Sequence, residues 1–373
     1  METLEINQEL NQIDTQEATV VAMSGGVDSS VAAAMMTKDN TNVIGITLKL
    51  YDEKKIAKSK TCCAGSDILD AKRIASTINI PHYVLDYEAI FKANVIDPFI
   101  AEYEAGRTPI PCINCNEKVK FLDLIEFARK IGASSLVTGH YIKKMKADDE
   151  WGLYIPVDED RDQSYFLFSL KYKDLDYLEF PLGNFKKDEI RNFAKNLELH
   201  LHDKVDSQDI CFIPDGKYKD FIQKKSTSST KGNIVDMNNN ILAEHDGIYN
   251  FTVGQRRGIG VSKENPVYVK EIDATNNRVI IAEKEYIKSS SIIVERVNLL
   301  TKKAINNIYV RVRSSGKLLK ATVTKLDEFY QIQLDEPEIA VSPGQACVFY
   351  NNDNNGTRSV SYTHLTLPTI YSV

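Results

Sequence analysis

The stretch AMSGGVDSS, residues 22–30, follows the apolar pair Val20 and Val21 and runs into VAAAMM, residues 31–36. A glycine pair between a β-branched run and a helix-forming run reads as strand, tight turn, helix. A dinucleotide fingerprint needs three spaced glycines, and only Gly25 and Gly26 are present. A Walker-type loop needs a lysine beside Ser or Thr, and the next lysine, Lys38, lies beyond VAAAMM. What remains is the physics common to both: glycine-exposed N–H groups, the hydroxyls of Ser24, Ser29 and Ser30, and a helix N-terminus that favours an anion. Pyrophosphate is the natural guest. Asp28 would repel it unless Mg²⁺ bridges the two, so a nucleotide–metal complex is expected. The competing reading is an ordinary helix start capped by Ser and Asp.

Working outward, NVIGITLKLY, DILDAKRIASTINI, PHYVLDY, FLDLIEFARKIG and SSLVTGHY alternate strand and helix patterns. This is the rhythm of a parallel sheet covered by helices, whose ligands sit at the carboxyl ends of strands. Gly139 and His140 then face the same crevice as Ser24 to Ser30. From about Asp215 the pattern changes to period-two strands around Asn-rich turns, as in GNIVDMNNNILAEHDG and VYVKEIDATNNRVIIAE, then KLLKATVTKLDEFYQIQLDEP and IAVSPGQACVFY. Such strands build a small barrel or sandwich. The expected division is residues 1–214, 215–285 and 286–358. From Ser359 to Thr369 the chain reads like an in-frame translation of a DNA-library adapter, so residues 359–373 are expected to be a non-native tail.

The chain has 373 residues, more than one core supports. No apolar run reaches the roughly 18 residues of a membrane span, and METLEINQELNQ lacks signal-peptide character, so a cytoplasmic protein is expected. The net charge of −6 argues against nucleic-acid binding by bulk charge, though not against a local basic groove.

Six cysteines fall as Cys62–Cys63, Cys112–Cys115, Cys211 and Cys347. GRTPIPCINCNEKVKF puts Cys112 and Cys115 in a proline-stiffened loop before a helix carrying Lys118 and Lys120, where helix terminus and cations would lower a thiol pKa. DSQDICFIPDG places Cys211 in a strand-like segment. Two such thiols that meet in space can pass sulfur, one carrying a persulfide and the other resolving it as a disulfide. Three alternatives stand beside this: zinc on Cys112, Cys115, Cys211 and a further ligand, an iron–sulfur cluster on the same three, or plain buried cysteines. Cys347, on an alternating strand, reads as buried.

AMSGGVDSS, AEYEAGRTPIPCINCNEKVKF, VTGHY, DRDQSYFL, DSQDICF, FTVGQRRGIG and SPGQACVFY together resemble the bacterial and mitochondrial tRNA-specific 2-thiouridylases, in order and spacing, from Thr19 to Tyr350. The resemblance implies an α/β fold: a parallel-sheet N-type ATP pyrophosphatase domain of Rossmann-like form, a small linker domain and a C-terminal β-barrel. It implies that ATP adenylates the C2 oxygen of a wobble uridine in tRNA and that sulfur from a persulfide donor protein then displaces AMP; a monomer is the default expectation, on which the sequence is silent. By the same resemblance Ala22, Met23, Ser24, Gly25, Gly26, Val27, Asp28, Ser29, Leu48 and Gly139 meet the nucleotide. Cys115 is the nucleophile and Cys211 carries the persulfide. Ile110, Pro111 and Cys112 meet the target base, and His140, Asp162, Gln163, Arg313, Ser314 and Gln345 meet tRNA.

Two departures matter. Many family members have Asp where Cys112 stands, and a thiol is a poorer proton acceptor. The family also ends in a glycine-rich strand that the adapter-like tail replaces, which predicts a barrel with an unpaired edge. Outside the resemblance, Arg256 and Arg257 in GQRRGIG read either as phosphate clamps or as exposed turn residues, DRDQSYFL as an RNA contact or a solvated turn, and His200 and His202 as surface histidines.

Overall fold

The computed structural model describes residues 17–38, 42–51, 64–167, 169–204, 210–213, 216–225, 231–302, 307–353 and 356–365; Cys62 and Cys63 lie outside them. The chain forms two compact units, one of residues 1–95, 112–214 and 353–359, the other of 96–111, 215–352 and 360–373.

The first unit is built on a parallel sheet. β1 (Thr19–Ala22), β2 (Val43–Lys49), β3 (His82–Asp86), β4 (Ser135–Thr138) and β7 (Leu178–Glu179) lie in the order β3-β2-β1-β4-β7, every pair parallel. Short β-branched runs such as TVVA suit strands buried on both faces. α1 (Val27–Lys38) follows the glycine turn and is apolar nearly all round, with Val31, Ala32, Ala33 and Ala34 buried. α2 (Ala64–Thr77), α3 (Leu122–Lys130) and α4 (Lys187–Asn196) complete the cover. One shared core joins Val21, Val31, Ile74, Val137, Ile190 and Leu201. The central strands and helices thus fall where the sequence pattern puts them. The antiparallel hairpin of β5 (Lys143–Ala147) and β6 (Glu150–Tyr154) lies outside this sheet, and Arg358 and Ser359 pair with β6 at Tyr154 and Leu153.

The second unit holds two β assemblies. β8 (Gly232–Val235), β9 (Ile241–His245), β10 (Val267–Asp273) and β11 (Arg278–Glu283) form a sheet in the order β10-β11-β8-β9, the predicted hairpins being its antiparallel pairs. β12 (Lys288–Leu299), β13 (Asn307–Arg311), β14 (Leu319–Leu326), β15 (Phe329–Ile339), β16 (Ala346–Asp353) and β17 (Gly356–Leu365) follow one another as β12-β15-β14-β13-β16-β17, and a β12–β17 pairing closes the ring. The unpaired edge expected from the tail is not found. Backbone ladders require only extended residues with free N–H and C=O groups, and the alternating SYTHL segment supplies them. Val360 is buried within this barrel core, as is Cys347.

Candidate functional site

The loop between β1 and α1 is shaped by its own hydroxyls. Ser24 N–H donates to Ser29 Oγ at 3.0 Å, and the Ser29 and Ser30 hydroxyls donate to the Gly26 carbonyl at 3.2 and 2.8 Å. Ser30 is fully buried, so it holds the turn instead of facing a ligand, whereas Ser24 is exposed. Met23 and Val27 send their side chains into the core, which leaves their backbone for a guest. Gly25 adopts φ 74°, and a Cβ there would stand 2.1 Å from the Asp67 carbonyl oxygen. Ala22 pairs with Thr138, so β1 and β4 end side by side; a Cβ on Gly139 would lie 2.7 Å from Ser29 N. The backbone at Gly139 thus packs directly against the start of α1. Leu48 sits half-buried near the end of β2, opposite Leu85.

The charge problem at Asp28 is solved by protein. Both its carboxylate oxygens accept from Lys187 Nζ at 2.8 Å, and Oδ1 also accepts from the Tyr141 hydroxyl at 2.9 Å. The side chain of Lys187 is only 7% exposed. Asp28 thus carries a lysine counter-charge supplied by the protein itself. A second lysine, Lys204, donates to the Gly25 carbonyl at 2.9 Å and to Asp67 and Asp70 at 2.6 and 2.7 Å. The loop that lacks a lysine of its own borrows two. A signal for Lys187 exists in the sequence, since it shares the buried face of α4 with Ile190 and Ala194, where a lysine needs a partner. A cavity of about 590 Å³ lies against Lys187, lined by Val157–Arg161, Lys186, Asp188 and Arg191.

The thiols are gathered in the same unit. Cys112 lies in a helical turn, Pro111–Asn114, and Cys115 opens a π-helical segment, Cys115–Phe121, so both stand in helical turns and not in a loop ahead of one. Cys211 stands in a turn, not a strand; the Tyr51 hydroxyl donates to its carbonyl at 3.0 Å. Tyr51 packs on Phe91 and Phe91 on Phe212, which fixes the segment next to Cys211. Cys115 is buried, while Cys112 and Cys211 are exposed. The three sulfurs and the Lys120 ammonium act electrostatically on one another.

Crowding by protein raises all three thiol pKa values, that of Cys211 to about 12, and Lys120 opposes the rise without cancelling it. The lowered thiol pKa predicted from helix and cations is therefore overturned by desolvation. His140 is pushed down to about 3 by burial and then by Lys120, so its imidazole is neutral at working pH. Its ring lies 5.8 Å from Phe121, and its Nδ1 is 2.8 Å from Thr138 Oγ1. The VTGHY segment thus touches both halves of the site: Gly139 and Tyr141 meet the glycine loop, and His140 meets the thiol helix. Among the described residues no group of three or more His, Cys, Asp or Glu is placed to hold a metal ion, so the zinc and iron–sulfur readings lack a donor set here.

Gln163 accepts from Tyr141 N–H at 2.8 Å, and Asp162 accepts from Ser164 N–H at 2.9 Å, so both brace the turn beside His140. Ile110 and Pro111 directly precede Cys112 but belong to the second unit. There, Gln345 donates to the Thr108 carbonyl at 2.9 Å, tying its turn to the segment that carries Ile110. Arg313 is engaged by Glu338 and the Ile339 carbonyl, and Ser314 is exposed. Arg256 and Arg257 are exposed in a loop with positive φ at Gly254, Gly258 and Gly260. His200 pairs with Asp70 at 3.1 Å. No described helix is long and apolar enough to cross a membrane.

Three family models match in succession: the tRNA methyl transferase HUP domain over residues 17–215, the tRNA methyl transferase PRC-barrel domain over 219–283 and the aminomethyltransferase β-barrel domain over 289–355. The class is a HUP-domain protein with two appended β domains, as the motif resemblance implied. The chain is 47% identical over 351 residues to the tRNA-specific 2-thiouridylase MnmA of Rickettsia canadensis, covering 92% of this chain and 95% of that one. It is 46% identical to the MnmA of Bartonella bacilliformis, covering 91% and 89%, and 45% identical to that of Brucella suis, covering 91% and 87%. The chain belongs to the tRNA-specific 2-thiouridylase family.

Proposed function

We propose that the protein is a tRNA-uridine 2-sulfurtransferase that uses ATP with its accompanying Mg²⁺ and a persulfide supplied by a donor protein. The observation that carries this reading is the electrostatic coupling of Cys112, Cys115 and Cys211 to Lys120, whose neighbour Phe121 lies against the His140 ring, with Gly139 packed on the start of α1 beside the glycine loop. The loop residues Ala22 to Ser29, with Leu48 and Gly139, bind the nucleotide, and Lys187 and Lys204 set the loop's charge and shape. The wobble uridine O2 attacks the α-phosphorus of ATP, pyrophosphate leaves, and the poor oxygen leaving group becomes AMP. The terminal sulfur of a Cys211 persulfide attacks C2; the C2–S bond forms and the C2–O bond breaks, AMP taking the electron pair. Cys115 thiolate then attacks the Cys211 sulfur, so that a Cys115–Cys211 disulfide forms and the bond to the transferred sulfur breaks, leaving that electron pair on the thiocarbonyl. A thiol reductant restores both cysteines. Neutral His140 keeps the crevice free of a competing positive charge beside Lys120, and Ile110, Pro111, Cys112, Asp162, Gln163, Arg313, Ser314 and Gln345 are assigned to base and tRNA contact. No step requires a cluster.

The test is nucleoside mass spectrometry of tRNA after incubation with ATP, Mg²⁺ and a persulfide source. Wild-type protein yields 2-thiouridine with AMP and pyrophosphate, and Cys115→Ser or Cys211→Ser lowers the yield at least ~10³-fold. Thiolation that survives both substitutions would refute the cysteine roles. ATP consumption without any thiolated uridine would point to another adenylating enzyme.

A further inference from the structure

The sequence offers two lysines beside Cys115, and nothing in their spacing says which serves the thiols. In an α-helix the fifth residue on is rotated about 140° away from the first, which would turn Lys120 from Cys115. The segment Cys115–Phe121 is π-helical, and Leu122 N–H donates to the Glu117 carbonyl, five residues back. Hydrogen bonding from i+5 to i stacks the fifth residue over the first, and such turns recur at functional sites. The winding therefore carries Lys120 to the sulfur side. Lys118 goes elsewhere: it is exposed and lines a separate cavity of about 390 Å³ with Glu117, Asp123, Glu126 and Asp174.

We propose that Lys120 is the positioning residue of the sulfur site, its ammonium the counter-charge for the sulfur anions that form at Cys115 and Cys211 during transfer. This rests on the sulfurtransferase reading and goes beyond it by assigning the cation. The groups acting on Lys120 are Cys115, Cys112 and Cys211, from two separate chain segments. Burial disfavours its charge, yet the thiols hold its pKa above the ordinary lysine range, so it arrives protonated. Around Cys115 the titratable neighbours are Cys112 and Lys120 on its own helix, Cys211 across the crevice and neutral His140 from the end of β4. Lys120 is thus the one cation acting on this group of thiols among the described residues. It acts through Cys115, whose electron pair makes the disulfide as the Cys211–sulfur bond breaks; the lysine itself forms and breaks no bond to carbon or sulfur.

The test is peptide-resolved alkylation of the full-length protein by iodoacetamide from neutral to mildly alkaline pH. Loss of the counter-charge moves the Cys115 profile to higher pH by about one unit, so that alkylation near neutrality slows ~10-fold in Lys120→Met. Lys120→Arg, which keeps the charge, stays within about threefold of wild type, and Lys118→Met is unchanged. If Lys120→Met fails to fold, Lys120→Gln gives the same reading. An unshifted profile in the neutral variants, or an equal shift in Lys118→Met, overturns the proposal. The assay needs no tRNA, so a wild-type protein that fails to thiolate tRNA would sink the functional reading alone.

Discussion

Removing the ammonium of Lys187 leaves the Asp28 carboxylate with the Tyr141 hydroxyl but without its cation. Breaking a buried pair from one side costs about 3 kcal/mol, because the remaining charge loses its partner without regaining water. Lys187→Met is expected to lower thermal stability by that order and to abolish ATP-dependent pyrophosphate exchange. Adding Asp28→Asn should recover part of the stability but not the exchange. Equal melting temperatures for wild type and Lys187→Met would show that the pair is not what holds the loop. At this scale the sequence was read well where partners are near neighbours, as with Ser29 and Ser30 on Gly26. The Lys187 partner of Asp28 is not legible there, since it stands 159 positions away. The raised thiol pKa values are hidden for a related reason: helix terminus and lysines are visible in a string of letters, and the surrounding protein that desolvates the sulfurs is not.

The elements that place the site are two strand ends and one irregular helix. β1 and β4 run parallel in register, and Gly139, directly after β4, lets α1 start against it. Gly139→Ala would drive a Cβ within 2.7 Å of Ser29 N and 2.8 Å of the Asp28 carbonyl carbon, both backbone atoms that cannot rotate away. Overpacking of this kind costs about 1–3 kcal/mol; the start of α1 should shift and ATP should bind at least ~10-fold more weakly by calorimetric titration. Unaltered ATP affinity would mean that the contact between β4 and α1 does not shape the loop. The strands and main helices were legible because period and composition are local properties. The π-turn at Cys115–Phe121 was not, since one sequence suits α and π winding and packing chooses between them. DICF has strand-like composition, but the Tyr51 bond and the Phe91–Phe212 contact hold Cys211 and Phe212 in a turn.

At the scale of the molecule, β17 divides its work. Arg358 is 2% exposed and reaches Glu150 at 3.3 Å in the first unit, while Val360 packs into the barrel core of the second. Deleting residues 356–373 leaves Glu150 without that partner and opens the β12 edge. A loss of about 3 kcal/mol and association through exposed strand edges are expected, read by thermal unfolding and size-exclusion chromatography. An unaltered melt with a single monomeric peak would show that the last strand is dispensable.

The letters alone settled the parallel sheet, the glycine loop, the β-rich second half and the family, because periodicity, glycine placement and motif order depend on neighbours within a few residues. Which lysines neutralise the loop, which way Lys120 faces, whether the thiols ionise and how the barrel closes were decided by folding alone. Each depends on groups brought together from distant parts of the chain and on the exclusion of water around them, and neither quantity exists before the chain is packed.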